Sequence, residues 1–204
     1  NKIYTKRRAK SQLSMLIAIL SASTRMERKS HRVALALQKY IVENTAHEAV
    51  VLDLSAYRFP VFEEVLQRHP NPPEGLDAFA QEIRAADAHI WVSPEYNGSY
   101  TSALKNAVDY LKESEFSRKA VGVVSVSAGA MGGLRAAMNM QELVLGVGGY
   151  PVPQMLTVGL VGQRFDESGG LLDPAFEKSV NNFFEGFLWL AEAVSEKRLA
   201  GVGA

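Results

Sequence analysis

The chain has 204 residues, 47% of them hydrophobic and 22% charged, enough for one α/β domain with a substantial core. Lys+Arg and Asp+Glu both number 22, so the formal net charge is zero and nothing electrostatic favours nucleic acid or an anionic membrane as partner. There is no cysteine, which excludes disulfides, thiolate metal sites, cysteine nucleophiles and iron–sulfur clusters and leaves any redox chemistry to a bound cofactor.

The basic residues Lys2, Lys6, Arg7, Arg8 and Lys10 precede the apolar run Met15–Leu20 and the small residues Ser21, Ala22 and Ser23. That order imitates a signal peptide, but the apolar run is too short for one, and cleavage there removes a core strand. The first fourteen residues are therefore expected to be a disordered tail or a vector-derived remnant, and residues 15–200 one domain. No apolar run reaches the length of about eighteen residues that a membrane span requires, and the expected location is the cytoplasm.

From Met15 onward, apolar runs of strand length alternate with segments of helical period. Met15–Leu20 is the first strand, and Val33, Leu37, Tyr40 and Ile41 mark the helix after it. Ala49–Leu54 is strand two, and Leu76, Phe79 and Ile83 mark a helix beyond the turn-rich segment 69–73. Ala88–Val92 is strand three, followed by a helix through Leu104, Ala107, Val108 and Leu111. Ala120–Val126 is strand four, and its helix carries Leu134, Met138, Gln141 and Leu145 on one side. Val152–Val158 is strand five, and Phe176, Val180, Phe183, Phe184, Phe187, Ala191 and Val194 share a face of the last helix. Right-handed crossovers then imply a three-layer α/β sandwich around a five-stranded parallel sheet of flavodoxin-like order 2-1-3-4-5. Strands two and five form the edges, and Pro151 and Pro153 suit an edge because proline cannot donate to a central ladder.

In such sheets a ligand sits beyond the carboxyl ends of the strands, where the strand order reverses. The loops after strands one, three and four are unusual. The first, segment 21–32, lacks Gly-x-Gly-x-x-Gly but offers hydroxyls, cations and a helix N-terminus near Ser30, a donor set suited to a terminal phosphate. Ser30 is equally suited to be an ordinary N-cap. The second, Pro94-Glu95-Tyr96-Asn97-Gly98-Ser99-Tyr100-Thr101, is a fixed turn whose backbone edge suits a planar heterocycle; its plainer role is a capped turn starting a helix at Ser99, Thr101 or Ser102. The third, Ser127-Ala128-Gly129-Ala130-Met131-Gly132-Gly133, lets another body approach the backbone closely, or is simply a flexible connection. Three unusual loops at one end of one sheet favour the shared, functional explanation.

With these loops in hand, the chain after Ser14 resembles the NADPH-dependent FMN reductase family, which includes quinone, chromate and azo reductases. The matching segments are Ala22-Ser23-Thr24-Arg25 with Ser30-His31-Arg32; Ser93-Pro94-Glu95-Tyr96-Asn97-Gly98-Ser99 running into Ala103-Leu104-Lys105-Asn106-Ala107-Val108-Asp109-Tyr110; and Gly129 with Gly132-Gly133 and Arg135-Ala136. Ala22 stands where the family usually has Gly, the gap from Arg25 to Ser30 is longer than usual, and His31 replaces other side chains. The resemblance implies bound FMN, with its phosphate at Ser23, Arg25, Ser30 and His31. It places the isoalloxazine against Pro94, Glu95, Tyr96 and Asn97, with Ser127 and Gly129 beside the ring. It further implies NAD(P)H as co-substrate, hydride passing from nicotinamide to flavin and on to a quinone, azo, metal or flavin acceptor, and a homodimer or homotetramer. No catalytic side chain is needed, since the cofactor carries the chemistry. The alternative is a flavodoxin-type electron carrier without NAD(P)H activity, which the neutral charge and the Pro-Glu-Tyr-Asn turn disfavour.

Among the remaining residues, His47 and His69 are expected on solvated loops and His89 as a satisfied core residue. No pair of His or carboxylates has metal-ligand spacing. Lys105 and Asp109 stand at i,i+4, either as an exposed pair or near a subunit interface.

Overall fold

A computed structural model describes residues 14–201; apart from Ser14, the segment expected to be a tail lies outside the described residues. The parallel strands are β1 (Leu16–Ser21), β2 (Glu48–Asp53), β3 (Ala88–Pro94), β4 (Ala120–Val126), β5 (Tyr150–Pro151) and β6 (Leu156–Val158). The order is β2-β1-β3-β4-β5, with β6 also pairing to β4. The sheet thus has six strands, and the expected fifth is two short pieces, because Pro151 and Pro153 interrupt the ladder between them.

The helices are α1 (Ser30–Asn44), α2 (Leu54–Tyr57), α3 (Leu76–Ala85), α4 (Ser102–Asp109), α5 (Leu134–Gly146), α6 (Val161–Arg164) and α7 (Glu177–Leu199). Both faces of the sheet are covered, which is why its central strands read as unbroken apolar runs. Ile17, Ile19, Ile90 and Val124 pack under α1 and α7. Ala18, Leu20, Trp91 and Val123 pack against α3, α4 and α5 on the other face. In β4, Gly122 is required by close approach: a Cβ there meets the Phe183 ring at 2.7 Å and the Phe187 ring at 2.9 Å. Tyr40 of α1 stacks flat on Phe184 of α7 at 4.0 Å, tying the two helices of that layer together.

Three expectations are overturned here, the last in part. On α5 the buried side is Ala136, Ala137, Met140 and Val144, while Leu134, Met138 and Leu145 are exposed. Small alanines let the helix sit close on the sheet, so the larger apolar residues end up outside. His47 is buried rather than solvated: its Nδ1 accepts from the Met15 amide at 3.3 Å and its Nε2 lies 3.3 Å from Glu192. His89 is in the core as expected, but neither ring nitrogen has a partner among the described residues, and burial pushes its pKa well below the usual histidine value.

Candidate active site

The loops after β1, β3 and β4 converge where the strand order reverses. After β1 the chain crosses toward β3, with the Ala22 amide donating to Val92 O at 2.9 Å, and then enters α1 at Ser30. Lys29 offers α1 no side-chain cap, and the first turn holds no acidic residue. The leading amides and the positive end of the helix dipole therefore face outward. Ser30 is the first helical residue rather than an N-cap; it is 3% exposed, and its Oγ has no hydrogen-bond partner among the described residues. Such a buried hydroxyl costs about 1–3 kcal/mol until something bonds it.

Ser23 is buried, with its Oγ 3.0 Å from the Tyr96 hydroxyl. When one of the two hydroxyls donates to the other, the acceptor's own proton stays free for a third group. The exposed Arg25 guanidinium lies 5.5 Å over the Tyr96 ring. Arg28 donates to Ser23 O at 2.9 Å and grips Asp53, at the end of β2, with both arms of its fork. It thereby fixes the loop. Burial pushes the Asp53 pKa up, but hydrogen bonds from Arg28 and Ser55 outweigh that and hold it below the usual carboxylate value. His31 turns back, its Nδ1 3.0 Å from Ser21 Oγ and 4.0 Å from Asp53. Burial lowers its pKa against the opposing pull of Asp53.

The second loop is a tight hairpin. Tyr96 and Ser99 exchange backbone hydrogen bonds of 2.9 and 3.1 Å around Asn97 and Gly98. Both central residues have positive φ (52° and 86°), the signature of a type I′ turn with the Asn-Gly pair that favours it. Thr101 caps α4: its Oγ accepts from the Leu104 amide at 3.2 Å and donates to Ala22 O at 2.8 Å, locking this loop to the first. The amides of Glu95 and Tyr96 are spent on Val126 O and Ser99 O, so they do not face a ligand as donors. From α5, Arg135 binds the Glu95 carboxylate at 2.9 Å, and Asn139 donates to Gly98 O at 3.2 Å.

In the third loop the Ser127 Oγ accepts from the Gly129 amide at 3.0 Å, and the Ser127 amide donates to Val158 O at 2.9 Å. Gly133, at φ 79°, sits where a Cβ meets Glu95 Cβ at 3.1 Å, so the second and third loops touch backbone to side chain. Between the three loops lies a cleft of about 390 Å³. Of the residues expected at a site, Ser23, Arg25, Ser30, Pro94, Glu95, Tyr96 and Ser127 line it; His31, Asn97 and Gly129 do not. Val126 and Val161 add apolar wall, and Lys29 adds a second cation beside Arg25. Lys29, Val126, Val161, Arg28 and Asn139 were not singled out by sequence; Arg28 both lines the cleft and holds its loop, while Asn139 and Arg135, the latter from the matching Arg135-Ala136 segment, hold loops. Among the described residues no group of three or more His, Cys, Asp or Glu is placed to hold a metal ion, and no helix is long and apolar enough to cross a membrane.

Residues 15–162 match the NADPH-dependent FMN reductase family. A quinone reductase of Pseudomonas putida is 34% identical over 177 residues, covering 82% of this chain and 91% of that protein. An NADPH azoreductase of Bacillus sp. strain OY1-2 is 29% identical over 145 residues, covering 71% of this chain and 76% of that protein. In three dimensions the chain is similar to the flavoenzyme NAD(P)H:(acceptor) oxidoreductase FerB of Paracoccus denitrificans, with a TM-score of 0.75 at 22% identity over 88% of this chain and 98% of that one.

Proposed function

Since the chain belongs to the NADPH-dependent FMN reductase family, we propose that it holds FMN in the three-loop cleft and uses NAD(P)H to reduce quinone, azo or related small acceptors. The observation that carries this is the buried Ser30 Oγ, unpartnered among the described residues at the uncapped N-terminus of α1, in a cleft that Arg25 and Lys29 also line. A phosphomonoester dianion answers all three features at once: it accepts from the hydroxyl and the helix amides and is neutralised by the cations. The spare proton of the Ser23–Tyr96 hydroxyl pair adds one more donor. His31, held by Ser21 with Asp53 4.0 Å away, braces the first loop from outside the cleft.

Bound FMN supplies the hydride and electron transfer between nicotinamide and acceptor; the protein supplies position and exclusion of water. Pro94, Tyr96, Val126 and Val161 give the heterocycle an apolar slot. The Glu95–Arg135 ion pair and the I′ turn keep that slot's rim in one geometry. For assembly we favour a homodimer or homotetramer, because Trp189, 74% exposed, lines one open cleft with Tyr150, Pro151, Pro153 and Leu190 at the edge of the sheet, apolar surface that a second copy would cover. The test is an absorbance spectrum of natively purified protein followed by anaerobic NADPH. Two visible flavin bands that bleach support the reductase; bands that persist identify an electron carrier, and a colourless chain that refuses FMN removes the flavin assignment.

A further inference from the structure

The charges that line the three-loop cleft divide by loop. Arg25, Glu27, Arg28 and Lys29 all come from the first loop, the phosphate side, and Glu95 is the only charged residue that the second and third loops add among the described residues. The formal charge on the ring side is therefore a carboxylate. The Glu95 side chain is 17% exposed and is met from outside by Arg135, 75% exposed, which donates to Oε1 from Nη2 at 2.9 Å and from Nε at 3.2 Å. Arg135 itself does not line the cleft. The other oxygen, Oε2, lies 3.5 Å from the Ala136 amide in the first turn of α5. That helix has no side-chain cap of its own and no acidic residue in its first turn, so Glu95 supplies from the second loop the negative charge its start lacks. Backbone makes room for the pair: a Cβ on Gly133 would meet Glu95 Cβ at 3.1 Å, and one on Gly98 the Arg135 guanidinium carbon at 3.2 Å. An ion pair with so exposed a member contributes little to stability. What it changes is the charge that the cleft presents to a ligand.

We propose that Arg135 is a positioning residue that sets the reduction potential of the bound flavin by holding and neutralising Glu95. The inference rests on the flavin assignment of the cleft. Hydride from the nicotinamide brings two electrons and one proton to a neutral ring; the nicotinamide leaves oxidised, and the reduced ring is anionic at neutral pH. An uncompensated carboxylate on the ring side repels that anion and leaves the neutral oxidised ring nearly untouched, so it disfavours reduction. Arg135 cancels the repulsion from the solvent side, acting through Glu95 and not on the flavin. Glu95 alone would serve the start of α5 at the expense of the reduced cofactor; the pair serves both.

The test is the two-electron reduction potential of the whole FMN-loaded chain, measured without air by equilibration with a reference dye. Arg135→Met, similar in length and uncharged, should weaken binding of reduced FMN about tenfold relative to oxidised FMN, which is a fall in potential of about 30 mV. Arg135→Lys should keep most of the wild-type potential, and Arg135→Met combined with Glu95→Gln should recover it, because the charge to be cancelled is gone. A merely structural pair behaves otherwise: a loosened rim weakens both redox forms alike and leaves the potential where it was. An unchanged potential in Arg135→Met, an equal fall in Arg135→Lys, no recovery in the double variant, or an Arg135→Met chain that takes up FMN in neither form would each overturn the proposal. A wild-type chain that refuses FMN removes the flavin assignment and this proposal with it, whereas a flavin-loaded chain with an unresponsive potential removes this proposal alone, so the two failures are told apart.

Discussion

The two ends of the sheet use the same residue types for opposite purposes. At the amino end, polar groups are spent on the fold, with buried His89 the exception. Buried Lys119 donates to Ile83 O at 2.8 Å and Arg84 O at 3.0 Å, closing the last turn of α3. Buried Glu115 pairs with Arg84, Asp87 accepts from the Leu16 amide, and His47 from the Met15 amide. At the carboxyl end, among the described residues, Ser30 has no partner, Arg25 only a ring, and α1 no side-chain cap. The comparison teaches that a site is recognised less by which residues it contains than by which of them the fold has left unspent.

The largest expected effect comes from the spent end. Lys119→Ala leaves two helix carbonyls without their donor, and unfolding in denaturant should show a loss of about 3 kcal/mol with flavin content per folded molecule unchanged. A loss of flavin from that variant would break the comparison. Arg25→Ala should do the reverse: stability within about 0.5 kcal/mol of wild type, as for an exposed side chain, and flavin retention through gel filtration down by about tenfold. Undiminished flavin would show Arg25 to be an ordinary surface arginine.

A smaller effect sharpens the amino end by pH. Burial, with Arg198 nearby, lowers the Lys119 pKa from 10.5 to about 8. The folded state therefore sheds this proton before the unfolded chain does, and stability relative to Lys119→Met should rise as pH climbs from about 8 toward 10.5. A difference between the two proteins that stays flat across that window would place Lys119 in a more hydrated setting than its contacts indicate.

The sheet was largely legible because buried parallel strands announce themselves as short apolar runs, and the three loops because their composition is odd. What escaped was either too short or too distant. Helix α2 spans only Leu54–Tyr57 and has no period to detect. The Arg28–Asp53 and Glu95–Arg135 pairs that set the loops join residues 25 and 40 positions apart, beyond any local pattern. On α5 the apolar period was real but pointed outward, since periodicity weighs side-chain size and the sheet there accepts alanine. His47 was misjudged because its neighbours in sequence are polar, while the groups that bury it, Met15 and Glu192, lie far along the chain.

Ser30→Ala tests the central claim most directly, because fold and ligand make opposite demands on one hydroxyl. Deleting an unpartnered buried group should leave the flavin-free protein as stable as before or up to about 1 kcal/mol more so, while FMN affinity measured by fluorescence quenching drops about tenfold. A variant that loses stability but binds FMN as the wild type does would show that the hydroxyl serves the fold and that no phosphate sits at the start of α1.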